Sequence, residues 1–376
     1  MNIFLFVNYT PDDKSIGITK KISSEIKALR EMGHFVTYTA YKSDGIYIFN
    51  NNNDVVYKKQ FRFKNKFIIS FLRYFVLLKT IKKYINCSNN SYDLLYARLL
   101  PLTKGFFEII RSFKNNKSKV VVESLAYFPG IKFRSIKGKY ISFLLKKNGP
   151  RLKGLVDTVL TEGHLDSFYG VSDIREMSMG VQTDEIVPHR YEGKKDELHL
   201  ISVANEMPYH AYDRVIKSLR NFYLSNKKRK VFIHLVGLMT KKTIRMINRF
   251  HLDNYVLLYG KKSGIELDEI YKKCNLGLGP LGQHRVGGKK DTGLKTKEYF
   301  ARGIPYIYSG EEPTVPANYP YVLSIPSDES DIDFDCVWDF YISYRDNENV
   351  VSEMRKFAFE HYSWIEIMKK AIGDSK

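Results

Sequence analysis

Thr292, Gly293, Leu294 and Lys295 head a short segment whose residue types suit the binding of a diphosphate. A loop holding Thr292 and Gly293 leads into a helix expected from about Leu294 to Arg302. The helix stops at Gly303 and gives way to a strand, Pro305 to Tyr308. The first turn of such a helix offers backbone N–H groups without intrahelical partners and the positive end of the helix dipole, and Lys295 adds a full charge. Glu298, one turn further on, is spaced to accept hydrogen bonds from two neighbouring hydroxyls of a ribose. The same residues also fit an ordinary helix–strand joint with a glycine stop, and the pattern alone does not separate the two.

The elements that must position these residues alternate between strand and helix. The chain opens with a strand at Asn2–Val7, a loop from Asn8 to Gly17, a helix from Ile18 to Met32 stopped by Gly33-His34, and a strand at Phe35–Ala40. That is a βαβ unit, which implies a parallel sheet. Further strands are expected at Leu94–Ala97, Lys119–Glu123, Asp157–Thr161 and about Arg175–Met179, separated by helices. The asparagine run 50–53 reads as a loop tip. Residues 181–197 are polar, charged and contain a proline, and read as a linker. A second series begins at Leu198–Ala204 and runs through strands Val231–Gly237, Tyr255–Tyr259 and Leu276–Gly279, with helices between, into the opening segment. The tail, Ser352–Lys370, reads as helix. The fold class is therefore α/β with two parallel-sheet domains, 1–180 and 198–350, and 376 residues suffice for two cores.

Hydrophobic content of 44% and charged content of 27% suit a folded globular protein. Cys87, Cys274 and Cys336 are far apart and imply neither a disulfide frame nor a metal site. The first residues lack the basic and long apolar regions of a signal peptide, and no uncharged apolar run approaches the ~20 residues of a membrane span. A cytoplasmic location is expected. The net charge is +19, and residues 58–153 hold 23 Lys and Arg against the acids Asp93, Glu108 and Glu123, so this segment carries all of the excess. Composition bias, a nucleic-acid surface and adhesion to an anionic membrane leaflet compete as explanations. No nucleic-acid motif appears, and the membrane surface is the expected partner. The helix expected at Phe67–Ile85 is apolar beyond one stripe and studded with cations, which fits a membrane interface or a helix buried on two sides.

Thr292, Gly293, Leu294, Lys295, Glu298, Tyr299, Ala301, Gly303 and Pro305 together resemble the S-P-L-K-x-x-E-Y-x-A-x-G-x-P signature of retaining glycosyltransferases of the GT-B fold, group 1 or family 4. The resemblance is strongest over 198–308 and looser over 1–180. It implies two Rossmann-like domains facing a cleft, with a C-terminal helix, 360–376, crossing back to the N-terminal, acceptor-side domain. It implies that Glu298 binds the ribose of a nucleotide-sugar, that the 292–295 turn receives the diphosphate, and that the base lies near Gly260 and Lys261. The family's second Glu, eight residues earlier, is here Lys290, next to Asp291, so the chain is a variant of that pattern. Relatives have a glycine and an Arg/Lys pair near Asn205 and Glu206, which this chain lacks. Arg285, Lys289, Lys290 and Lys295 are candidates to supply the missing charge, and His284 and Asn205 are further donor-binding candidates.

On the acceptor side, Gly17 allows close backbone approach, and Glu123 ends a buried-looking strand at the carboxyl edge where α/β sites form. His164, just past another strand, is a further cleft candidate. The D-x-D triplets of 331–335 are expected to cap a helix, and no metal or other cofactor is expected. The resemblance points to transfer of a sugar, with retention, from a nucleotide-sugar to a glycan or polyprenyl-diphosphate-linked acceptor in bacterial surface polysaccharide biosynthesis. The leaving phosphate oxygen would take the acceptor's proton. A nucleotide-sugar 2-epimerase of the same architecture and a non-catalytic scaffold binding a partner transferase are the alternatives.

Overall fold

The computed structural model describes all residues except 13–16, 63–65, 100, 125–135, 162–164, 226–227, 287–292 and 374–376. The chain divides into two compact units, Met1–Ser178 with Trp364–Lys376, and Met179–Ser363.

The first unit comprises β1 (Asn2–Tyr9), α1 (Gly17–Glu31), β2 (Phe35–Tyr41), β3 (Gly45–Phe49), β4 (Val55–Gln60), α2 (Lys66–Cys87), β5 (Leu94–Arg98), α3 (Lys104–Asn115), β6 (Lys119–Ser124), α4 (Ile136–Asn148), β7 (Thr158–Thr161) and β8 (Ile174–Glu176). Among the described residues the strands form one sheet in the order β4-β3-β2-β1-β5-β6-β7-β8. From β2 to β8 every pairing is parallel. Continuous apolar runs such as Ile3–Val7 and Val120–Val122 are fully buried, as a sheet covered on both faces requires. β3 and β4 form an antiparallel hairpin beside β2 that the sequence reading did not include. The asparagine run supplies its turn: Asn50 Oδ1 accepts from the backbone N–H of Asn52 and Asp54, both at 2.9 Å.

The second unit comprises β9 (Glu197–Val203), α5 (Tyr212–Ser225), β10 (Lys230–Val236), α6 (Lys241–Arg249), β11 (Val256–Gly260), α7 (Ile265–Tyr271), β12 (Leu276–Leu278), α8 (Leu294–Arg302), β13 (Tyr306–Ser309), β14 (Val322–Ile325), α9 (Phe334–Tyr344) and α10 (Val350–Tyr362). Its sheet order is β11-β10-β9-β12-β13-β14, all parallel. The order reverses between β9 and β12, so these two strands fork at the topological switch point where ligands of such sheets bind.

Residues 181–197, read as a linker, are tied into this unit: Val181 N–H donates to Tyr362 O (2.8 Å) and His189 N–H to Arg302 O (2.7 Å). The tail read as one helix is two, broken at Ser363, where the backbone is extended (φ −61°, ψ 147°). α11 (Trp364–Ile372) belongs to the first unit and lies against α1, with the Lys21 ammonium 5.6 Å from the Trp364 ring centroid. The acidic run ends as a cap: Asp333 accepts from the N–H groups of Asp335 and Cys336 at the start of α9.

α8 is fixed over the fork by its buried face. Gly277 has no side chain where a Cβ would lie 2.7 Å from the Tyr299 ring, so helix and strand approach closely. The Tyr299 hydroxyl shares its proton between Ile201 O (2.8 Å) on β9 and Leu278 O (3.0 Å) on β12. Gly303 ends the helix at φ +81°, with its N–H and that of Ile304 both bonded to Tyr299 O. Replacing Tyr299 by Phe strands two buried carbonyls and is expected to cost about 1–3 kcal/mol of stability in urea denaturation.

Candidate functional site

The fork between β9 and β12 gathers several of the residues singled out from sequence. Gly293 is the N-cap of α8, in extended conformation and without a side-chain cap, and Leu294 follows, half exposed. The Lys295 ammonium donates to Ser202 Oγ (3.1 Å) at the end of β9, and Ser202 in turn meets the Tyr212 hydroxyl at 2.8 Å. Thr296 is buried and donates to Glu312 (3.1 Å), a buried carboxylate that also receives Thr314 Oγ1 at 2.7 Å. Thr292, Lys289, Lys290 and Asp291 lie outside the described residues, as does His164.

Glu298 faces partly outward, its side chain 31% exposed. Arg302 Nε holds its Oε1 at 3.2 Å. That arginine is itself fixed by Asp268 (2.8 Å) and by the Tyr271 ring at 4.0 Å. Among the described residues, Oε2 has no recorded hydrogen bond. One anchored and one open carboxylate oxygen is an arrangement that can orient a hydroxyl pair.

Other candidates are engaged elsewhere. Arg285 Nη1 binds Asp213 (2.6 Å), and its Nε and Nη2 bind both oxygens of Glu329 (2.6 Å each). His284 Nε2 lies 2.7 Å from the same Glu329. The hydrogen bonds from Arg285 and then His284 pull the Glu329 carboxyl down to about 2. Asn205 Oδ1 accepts from Leu238 N–H (3.0 Å), and the Glu206 carboxylate accepts from Thr240 N–H and Thr243 Oγ1 where α6 begins. Both residues thus brace one loop against another. Gly260 ends β11 at φ +64°, two strands from the fork, and Lys261 beside it is exposed.

The sequence reading passed over Ser202, Tyr212 and His210. A serine in the apolar strand β9, followed by two aromatic-flanked residues, was the available signal. His210 is buried beside Lys295. Burial first, then that ammonium, lowers its pKa to about 3, so the ring is neutral, with Nδ1 accepting from Met207 N–H at 3.3 Å.

In the first unit, Gly17 opens α1. Glu123 is buried in a charge box at the carboxyl edge of the sheet. It accepts from Lys21 Nζ (2.8 Å), the Tyr96 hydroxyl (2.9 Å) and Arg98 Nε (3.0 Å). Buried Glu25 completes the box, bonded to Lys21 and to Arg98 Nη2 at 3.2 Å. Burial pushes the Glu25 carboxyl up. For Glu123 burial acts in the same direction, but Lys21 and Arg98 outweigh it and hold that carboxyl low. Among the described residues Arg98 Nη1 and Asn8 Oδ1 have no hydrogen-bond partner. Among the described residues no three His, Cys, Asp or Glu side chains gather as a metal site would require.

Two α/β units built on largely parallel sheets give the chain the GT-B fold. No protein-family model matches the chain. No curated protein matches it in sequence. Among solved structures it is similar to a glycosyltransferase from Rickettsia africae (15% identity, 99% of this chain and 97% of that one, TM-score 0.61). It is also similar to HepE from Anabaena in complex with UDP (11% identity, 100% and 99%, TM-score 0.59). A third is the lipopolysaccharide outer core galactosyltransferase WaaB (12% identity, 100% and 99%, TM-score 0.53).

Burial also holds His234 neutral, with its pKa lowered to about 3, and His189, lowered to about 4. An unfolded chain protonates these rings below about pH 6.5, whereas the folded one does not, so their contribution is complete above that value and lost as pH falls toward 3–4. Denaturation between about pH 7 and pH 5 is expected to show falling stability of the second unit, with a shallower slope in His234→Gln.

Proposed function

We propose that the chain is a retaining glycosyltransferase that moves a sugar from a nucleotide-sugar to a glycan or lipid-linked acceptor, in surface polysaccharide biosynthesis. The observation that carries this is the placing of Lys295 and the first turn of α8 at the β9/β12 fork, one helical turn from Glu298 with an open carboxylate oxygen. HepE, similar in fold, holds UDP, and WaaB is a galactosyltransferase. Both support a hexose carried on a nucleoside diphosphate.

In this reading the diphosphate sits at the α8 N-terminus and the ribose hydroxyls bind Glu298. As the anomeric C–O bond breaks, negative charge grows on the departing phosphate oxygen, where Lys295 and the helix dipole stabilise it. That same oxygen takes the proton of the attacking hydroxyl on the same face, so the configuration is retained and no separate base is needed. The reaction is proposed to be metal-independent. Among the described residues, neutral His210 leaves the charge at the fork to Lys295. No helix among the described residues is long and apolar enough to cross a membrane. We propose that the basic segment 58–153 holds the protein peripherally on the anionic inner leaflet, each well-placed basic residue contributing about 1 kcal/mol.

Proton NMR of a reaction with each nucleotide-hexose and a pool of polyprenyl-diphosphate glycans tests this. The expected result is a new glycoside with the donor's anomeric configuration, and a loss of kcat/KM of about tenfold or more in Glu298→Gln. Inversion at the anomeric carbon would remove the retaining mechanism. A new epimer of the donor without transfer would establish the 2-epimerase instead.

A further inference from the structure

The edge of the first unit carries a groove that the transferase reading does not use. One stripe of α2 (Ile69, Leu72, Val76 and Thr80) forms one wall, and Tyr57 and Phe61 at β4 form the other. The cavity is about 340 Å³, at the lower end of small-molecule sites. Its floor is apolar: the Thr80 hydroxyl is turned back onto Val76 O at 2.7 Å, which leaves its methyl to the groove. Four exposed cations line it, Lys59 and Arg62 from the β4 side and Lys79 and Lys83 from α2, and no lining residue among the described ones is acidic. No ion pair of these four with a carboxylate is recorded among the described residues, whereas Lys82 on the same helix is paired with Glu108.

Lysines on an edge strand often guard against sheet-to-sheet pairing, and Lys59 fits that role. Lys79 and Lys83 do not, since they stand on a helix. Successive turns of α2 place both at one end of the apolar stripe. An apolar slot ending in a pair of lysines without a carboxylate partner among the described residues is complementary to one kind of molecule, an alkyl chain ending in an anion. Cations without carboxylates favour a multiply charged head over a neutral or zwitterionic one.

We propose that the α2–β4 groove is a discrete binding site for one phosphate-headed lipid, its alkyl chain along Ile69, Leu72 and Val76 and its phosphate at Lys79 and Lys83. This differs from diffuse adhesion of the whole basic segment to a leaflet, because it is saturable, stoichiometric and dependent on the chain as well as the charge. It does not depend on the transferase activity.

Calorimetric titration with monomeric dodecyl phosphate tests it, with dodecyl maltoside and inorganic phosphate as the chain-only and head-only probes. One site is expected, weakened by salt and bound about tenfold or more tighter than either partial probe. Lys79→Glu/Lys83→Glu and, separately, Leu72→Gln should each weaken dodecyl phosphate by about tenfold. Lys146→Glu/Lys147→Glu on α4, an equal change of charge away from the groove, should leave it unmoved. All substituted side chains are at least partly exposed, and melting curves report whether each variant folds. Equal weakening by the α4 pair, equal affinity for dodecyl maltoside, or no binding at all would overturn the proposal.

Discussion

The second unit depends on how a parallel sheet is closed where it forks. β9 and β12 pair briefly, Asn275 N–H with His199 O and then Leu276 with Leu200 and Gly277 with Ile201 in register, and then diverge. Divergence opens the crevice in which a ligand can sit, but it also deprives strand carbonyls of their ladder partners. The Tyr299 hydroxyl bridges the two strands at that point, and it reaches them because Gly277 lets α8 lie close. One contact therefore holds the fork, sets the height of α8 above the sheet and aims the first turn of α8 at the crevice. Lys295 and Glu298 take their positions from that placement.

The two units treat buried charge differently. In the first, Lys21, Arg98, Glu25 and Glu123 neutralise one another at the carboxyl edge of the sheet, an arrangement whose desolvation cost is offset only while every partner is present. In the second, burial keeps His189, His210 and His234 neutral and Arg285 is engaged by Asp213 and Glu329, so among the described residues the positive field at the fork comes from Lys295 and the helix terminus. A weak backbone dipole and one ammonium suit a leaving group whose charge appears only as the bond breaks.

Much of this was legible in the chain. The helix start at Leu294, its stop at Gly303 and the strand after it follow from local rules, and α8 and β13 lie where those rules put them. The alternation of apolar strands with helices announced two parallel sheets. Non-local pairings were hidden. Arg285 looked free because Asp213 and Glu329 stand 72 and 44 residues away, and nothing local marks them as its partners. Asn205 looked like a donor-binding group because the strand edge is where ligands bind, but braces between loops occupy that edge too. The β3–β4 hairpin escaped because its strands are short and one is solvent-exposed, with no apolar alternation to read. The break at Ser363 rests on a single extended residue between two helical sequences.

The central claim is that Lys295 and the α8 terminus form a seat for a nucleoside diphosphate. Calorimetric titration of UDP, GDP and CDP into the native chain and into Lys295→Ala tests it most directly. The account predicts that one of the three binds at a single site and that the substitution weakens it by about tenfold or more, as loss of a charge-assisted contact requires. Binding of all three unchanged by the substitution, or of none, would contradict it, and α8 would then be only a joint between a helix and a strand.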